Sequence, residues 1–448
     1  MGVTKDLATF VARTNFNELP ENVKEHAKLC ILDWLGVTLA GSVEPSARMT
    51  RGIMNNTAGR KESTVMGASM KDSCMNAAFA NGIMGHALEL DDLHADALIH
   101  PAAPVLPASL AVAERKGANG KDLITSVVLG YEVEIRIALA VIPSHYRYWH
   151  PTGTCGTFGA AAAAGKILAL DDQEMVHALG IAGTQAAGLI EVFGTMSKPL
   201  NVGRAAQGGV TAALLAEQGF TSSNHILESS KGFCRAASVE PKLGEITREL
   251  GERFELVRNS FKRHASCGHT HAAIDAALDL AKMNRIEPHA IDRVVVETYP
   301  IAVDIVGGNA EPKTVSEAKF SLPYCMAVAL MYGNVGLAEF SDDNLTDGKV
   351  IELSKKVKIV VGNDFANSTF GCARVTLCNS DGAEFSRRVD APRGDPTNPL
   401  TSTELEAKFR NLASIVLPNN KVTKIVATVM NLEKLEEIET LTDLLQKH

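Results

Sequence analysis

The run KDLITSVVLGYEVEIRIALAVI, residues 121–142, decides how the first half of the chain is read. It opens after Asn119 and Gly120, ends at Pro143, and repeats apolar residues at three and four spacing over a length no single strand reaches, so it predicts a helix. The same texture extends outward from about residue 5 to 255. ENVKEHAKLCILDWLGVTLAG (21–41) stops at Gly41, and TCGTFGAAAAAGKILAL (154–170) and VGRAAQGGVTAALLAEQG (202–219) carry the small residues that let helices approach closely in a buried bundle.

Beyond about residue 290 the pattern changes. DRVVVETYP (292–300), KVKIVVGND (356–364), ARVTLCNS (373–380) and AEFSRRVD (383–390) are short β-branched runs bounded by Asp, Asn and Gly, which predict strands. Helical stretches HTHAAIDAALDLAKM (269–283) and VSEAKFSLPYCMAVALMYG (315–333) lie among them. A Pro/Gly linker then leads into TSTELEAKF, where Thr401 or Ser402 ahead of Glu404 reads as a capped helix start. The expected fold is mainly α: a large all-helical domain over 1–257, completed by 394–448, with an inserted smaller α+β domain over 258–393.

Composition narrows the function. With 448 residues, 46% of them hydrophobic and 21% charged, the chain is expected to be a soluble, cytoplasmic globular protein. No apolar run approaches the roughly 18 residues of a membrane span, so no membrane partner is expected. The net charge of −8 and the absence of long basic clusters argue against nucleic acid. Eight scattered cysteines without a C-x-x-C pair point to reduced thiols.

Within this apolar chain, HALELDDLHADALIHPAAP (86–104) stands out for three histidines and four acids. Imidazole and carboxylate suit zinc, manganese or iron, but no H-E-x-x-H is present and the ligands share no single helical register, so no metal is assigned. DDLHAD (91–96) and DDNLTD (342–347) spell a diphosphate-type DDxxxD, the second in what reads as a solvated turn. GAAAAAGK (159–166) has the wrong glycine spacing for a phosphate loop and Ile167 where Ser or Thr is required. A zinc site could be drawn from Cys267, His269 and His271 only with a fourth ligand from elsewhere. The simpler pattern is three helix starts with basic or imidazole groups beside small residues: Tyr146, Arg147 and His150; Lys198 and Arg204; Lys262, Arg263 and His264. Together they point to one shared pocket for an anion.

These motifs, HALELDDLHADALIHPAAPVLPASLA, HPTGTCGTFGAAAAAGK, SKPLNVGRAAQGG, FKRHASCGHTHAAIDAA and EAKFSLPYCMAVAL, resemble in order the signature segments of the MmgE/PrpD family, which includes 2-methylcitrate dehydratase, cis-aconitate decarboxylase and iminodisuccinate epimerase. The resemblance implies that the α+β domain is a lid, that the protein is a homodimer, and that the site lies in the interdomain cleft with neither metal nor organic cofactor. It places the catalytic groups at His100, His150, Lys198 and Lys262, with Glu89, Asp92, Tyr146, Arg204, Arg263 and His271 around the substrate. The implied activity is that of a lyase removing water or CO2 from a small di- or tricarboxylate through a carbanion-like intermediate. An epimerase of a dicarboxylate and a non-catalytic carboxylate-binding homologue are the alternatives. Glu89 stands where the decarboxylases have Asp, Leu93 where they have Thr, and the Asp92 to His100 spacing is one residue longer than theirs.

Overall fold

The computed structural model describes residues 2–57, 59–368 and 370–447. The predicted helices form: α1 (Glu21–Gly41), α2 (Cys74–His86), α3 (Ala102–Lys116), α4 (Gly120–Val141), α5 (Pro151–Ile167) and α6 (Ser197–Glu217). The start of α4 is set by reciprocal capping between Asn119 and Asp122, which satisfies two otherwise orphaned backbone N–H groups. One element departs from the all-helical expectation. Ser63–Val65 (β1) and Met70–Asp72 (β2) form an antiparallel hairpin, and strands of three residues are too short to leave a readable alternation.

Glycine and alanine fix how closely the body packs. At Gly209 of α6 a Cβ would lie 2.4 Å from Ala160 Cβ and 2.5 Å from the Ala161 backbone nitrogen of α5. At Gly82 of α2 it would meet the Gly203 Cα of α6 at 3.0 Å. These approaches bring the starts of α5 and α6, and with them His150 and Lys198, beside the end of α2 at His86.

The second half contains α7 (His271–Asn284), β3 (Ile291–Thr298), α8 (Leu322–Tyr332), β4 (Val357–Val361), β5 (Ala373–Asn379) and β6 (Glu384–Val389). Every predicted strand is present, in the order β4-β3-β5-β6, with β3 parallel to β4 and antiparallel to β5. The single helical stretch expected at 315–333 is divided. Val315–Ala318 forms one turn, and α8 restarts after Ser321, whose side chain accepts from Tyr324 N, with Pro323 in its first turn.

Buried apolar side chains fall into two clusters. One runs from Leu7 to Phe261 and resumes from Leu405 to Leu445; the other is built mainly from Ala265 to Leu377. The change of core therefore lies between 261 and 265, and the return between 377 and 405. The final segment begins with α9 (Ser402–Ala413), capped by Thr401 and Glu404 as the sequence indicates. It packs on α1, where Lys408 pairs with buried Asp33 at 2.7 Å. Among the described residues no helix is long and apolar enough to cross a membrane.

Gly209→Ala should lower stability by about 1–3 kcal/mol, the usual cost of overpacking a dense interior. A chemical denaturation midpoint unchanged from the wild type would show that α5 and α6 separate freely.

Candidate active site

The 86–104 segment leaves helical geometry as soon as α2 ends at His86. Glu89 and Leu98 adopt φ of 56° and 51°, left-handed values that are uncommon for residues with side chains and are retained where surrounding contacts impose them. The segment folds back on itself through His94 N to Ile99 O at 2.8 Å. It also pairs with the chain entering the second unit through Leu93 N to Ser260 O at 2.9 Å and Ser260 N to Leu93 O at 2.7 Å. From beneath, Lys408 donates to Leu90 O at 2.8 Å.

That pairing delivers Lys262 to Glu89. The Lys262 Nζ donates to Glu89 O at 3.1 Å and lies 3.4 Å from Glu89 Oε2, while Lys198, from the first turn of α6, donates to Glu89 Oε1 at 2.5 Å. All three residues are buried. Burial alone would push the Glu89 carboxyl up, but the charges of Lys198 and Lys262, with His86, hold it well below the usual carboxylate range. Lys198 is also framed by the Phe193 and Phe320 rings, 5.2 and 5.1 Å from its nitrogen.

Three histidines gather next to this pair. His86 Nδ1 lies 2.6 Å from Asp91 Oδ2, its ring stacks on His150 with centroids 5.5 Å apart, and it meets His100 edge-on at 4.9 Å. His100 Nδ1 donates to the Asp92 carbonyl at 2.7 Å, because a carbonyl can only accept; this puts the proton on Nδ1 and leaves Nε2 an acceptor in the neutral ring. His150 precedes α5, and its Nδ1 faces the Asn201 amide at 3.4 Å while its Nε2 is buried without a partner among the described residues. Burial first, then the nearby lysine and imidazole charges, depress both rings well below the ordinary imidazole value. Both are therefore neutral bases at neutral pH.

His100, His150, Lys198 and Tyr146 line one narrow cavity of about 20 Å³, whose other walls are Leu93, Leu98, Phe193, Phe320, Phe370 and the Cys267–His269 turn. That is room for about one water molecule, so a substrate is admitted only as the walls move apart. Tyr146 Oη lies 3.3 Å from His269 Nε2, and His269 Nδ1 lies 2.7 Å from Tyr299 Oη, a chain that crosses from the helical body to the α+β unit. Burial lowers the His269 pKa to about 3 and raises that of Tyr146, so both remain uncharged.

Not every residue expected around the substrate faces this cavity. Asp92 is directed inward: Oδ2 accepts from Tyr131 Oη at 2.7 Å and Asn259 Nδ2 at 2.6 Å, and Oδ1 from Ala102 N at 3.0 Å. Its carboxyl group holds the backbone under His100 and is not among the cavity walls, and burial pushes its pKa up to about 7 despite those donors. Arg204 is exposed and bonds Gln207 on its own helix. Arg263 is half exposed and lines a different groove with Asp275. His271 is buried against His264 and bonds Ser266 O at 3.3 Å. In each case helical phase or the following turn carries the side chain away from its charged neighbour in sequence. Conversely, Phe193, Phe320 and Tyr299 belong to the site surroundings without any charge pattern to announce them, and His86 and His269 were visible only as metal candidates.

The donor set can be tested for a metal directly. His86, Asp91 and His100 each offer one atom within 4.8 Å of the others. His86 Nδ1 and His100 Nδ1 already donate to Asp91 and to the Asp92 carbonyl, so ligation through those two atoms would break both bonds and the tautomer they define. The geometry suits a hydrogen-bonded triad better. Cys267, His269 and His271 likewise point to different partners. GAAAAAGK lies inside buried α5, and DDNLTD forms an exposed capped turn ahead of β4.

Two lysines tied to one carboxylate, facing two neutral imidazoles behind an aromatic wall, define a site suited to a small anion and to proton transfer. Comparison with known proteins assigns the lineage: the MmgE/PrpD N-terminal domain model matches residues 5–245 and the MmgE/PrpD C-terminal domain model residues 264–434. The chain belongs to the MmgE/PrpD family. It is similar to the cis-aconitate decarboxylase of Aspergillus terreus (strain NIH 2624 / FGSC A1156) at 31% identity, over 99% of this chain and 96% of that one. It is also similar to the cis-aconitate decarboxylases of Homo sapiens (29%, over 99% and 94%) and Mus musculus (30%, over 99% and 93%).

Glu89→Ala should destabilise the protein by about 3–5 kcal/mol at neutral pH, because it leaves two buried ammonium groups without their carboxylate. Urea unfolding measures this; an unchanged midpoint would mean that Lys198 and Lys262 find other partners.

Proposed function

We propose that the protein is a cofactor-independent lyase acting on a small di- or tricarboxylate, removing CO2 or water through a carbanion-like intermediate. The observation that carries this reading is the pair of neutral histidines, His100 and His150, lining one narrow cavity with the Glu89-bound Lys198. The decarboxylase names of the relatives support the same reaction class. A homodimeric, cytoplasmic enzyme is part of this reading, and gel filtration checks the first.

Lys198 meets a substrate carboxylate, and Lys262, behind Glu89, keeps that end of the site positive. Substrate negative charge opposes the cationic field that depresses His150, so binding raises the imidazole pKa and draws in a proton. In decarboxylation the C–C bond to one carboxylate breaks, CO2 leaves, and the electron pair stays on carbon, delocalised toward the adjacent unsaturated carboxylate. That carbon then takes a proton from imidazolium. The Leu93, Leu98 and Phe370 wall suits departure of a neutral molecule and excludes water. In dehydration, His100 Nε2 removes the proton beside a carboxylate and hydroxide leaves with a proton from the second ring. Glu89 and Leu93, which depart from the decarboxylase residues, bear on which substrate fits.

Screening citrate, 2-methylcitrate, cis-aconitate and iminodisuccinate is expected to reveal turnover with released CO2 or a new alkene absorbance. A change in optical rotation alone would make the protein an epimerase, and no turnover of any of them would contradict the lyase reading. On the substrate that turns over, His150→Ala should lower kcat by about two to four powers of ten. If the reaction is a dehydration, with His100 as the base, the depressed imidazole keeps the base form available on acidification, so the acid limb of kcat/KM should fall below the free imidazole value of about 6.5. A limb at or above that value would contradict the assignment of a buried neutral base.

A further inference from the structure

Asp91 takes no part in the chemistry above and is not among the cavity walls, yet it stands between two of the three histidines. Its side chain is fully buried. Oδ2 accepts from His86 Nδ1 at 2.6 Å and lies 3.6 Å from His100 Nδ1, while Oδ1 has no partner among the described residues. The neighbouring Asp92 is the contrast, with three donors shared between its two oxygens. Burial alone would push the Asp91 carboxyl up, but the attraction of His86, His100 and Lys262 holds it well below the usual carboxylate range, opposite in direction to Asp92. A buried charge met only by imidazole is an expensive way to hold a loop, since neutral donors of the kind Asp92 receives would do so without one.

The two cavity imidazoles differ in the charges around them. His100 is acted on by His86 from the end of α2, Lys198 from α6, Lys262 from the chain entering the second unit, and Asp91 from its own segment. The other nearby carboxylates are engaged elsewhere, Asp33 of α1 with Lys408 of α9 and Glu89 with its two lysines. Of the charges acting most strongly on His100, only Asp91 favours a proton on the ring. His150 lies under Lys198 and both other imidazoles, and the carboxylate acting on it is Glu89, whose oxygens are both taken. In the free protein burial and the cations outweigh Asp91 and leave His100 neutral. An anion at Lys198 offsets that cation and leaves Asp91 as the charge that decides where a proton rests.

We propose that Asp91 is the built-in counter-ion of His100, aligned by His86, and that it makes His100 the cavity imidazole that carries the transferred proton. The inference rests on the lyase reading above and adds which ring holds the proton. In dehydration the proton on carbon passes to His100 Nε2 and its electron pair stays on carbon until hydroxide leaves; the imidazolium keeps Nδ1–H on the Asp92 carbonyl and is balanced by Asp91. In decarboxylation the proton drawn in on ligand binding rests on His100, and its Nε2 gives that proton to the carbon CO2 has left. Asp91 touches no reacting atom in either case, so it is a positioning residue, as is His86.

The test is the pH profile of Asp91→Asn, which keeps an oxygen for His86 and removes the charge. Without the counter-ion the imidazolium is less stable, so the limb of kcat/KM set by His100 should move to lower pH: the acid limb if the ring is the base, the alkaline limb if it is the acid. The fall in kcat should be about ten- to a thousandfold, the range an opposite charge this close contributes, with KM within about threefold. His86→Gln keeps an N–H donor for Asp91 and removes a competing ring, so it should leave the same limb in place or move it to higher pH; it decides the matter alone if Asp91→Asn does not fold. A wild-type limb in folded Asp91→Asn, or a downward shift in His86→Gln, overturns the inference, since a purely structural tether lowers kcat without moving the limb. The 15N NMR signals of labelled histidine read the same quantity without substrate, and His100 should titrate at lower pH in Asp91→Asn than in wild type. An unmoved His100 titration overturns this inference even where the lyase reading stands. A lowered titration in a protein that turns over no carboxylate overturns the lyase reading and leaves Asp91 as the counter-ion of His100.

Discussion

The site depends on one buried carboxylate shared by two lysines. Glu89 receives Lys198 from the helical body and Lys262 from the chain entering the α+β unit, so a single side chain ties the two cores together where they meet. Without it two buried amines would lose their carboxylate partner, the costly case for a charge held away from water. The left-handed backbone at Glu89 and the Leu93–Ser260 pairing are the local means by which the chain reaches this arrangement. Close packing of the small-residue helices supplies the rest, by bringing α2, α5 and α6 to one point.

The same charges set the state of the histidines. In the free protein they add to burial and hold His100 and His150 neutral, whereas a bound anion works in the opposite direction. On the proposed reading, ligand binding and protonation are linked by the position of Lys198, without any requirement for a strongly acidic side chain in the cavity. The His100 tautomer is determined separately, through the Asp92 carbonyl, and Asp92 is itself secured by Tyr131 and Asn259. A mutation as far from the cavity as Tyr131 can thus reach the His100 ring through backbone position.

Much of the architecture was legible because long amphipathic and small-residue helices write a strong period, as in 121–142, and the β-branched runs after 290 write another. The hairpin at 63–72 was not legible, its three-residue strands being shorter than the period they would have to display. In the site, His100, His150, Lys198 and Tyr146 line one cavity, and Lys262 is joined to it through Glu89. Arg204, Arg263 and His271 show why sequence proximity to a basic motif is insufficient: helical phase sends Arg204 to solvent, and Asp275 draws Arg263 to another groove. Asp92 carries the right charge but spends it on internal donors. Phe193, Phe320 and Tyr299 were out of reach because an aromatic wall leaves no pattern in one sequence, and their roles follow from which loops the packing brings together.

The most direct test is a crystal structure of the protein with an unreactive tricarboxylate bound. The account requires a ligand carboxylate within hydrogen-bond distance of Lys198 Nζ, with a carbon of the ligand facing His100 Nε2. A ligand seated elsewhere, or one seated with Glu89 released from both lysines, would contradict it.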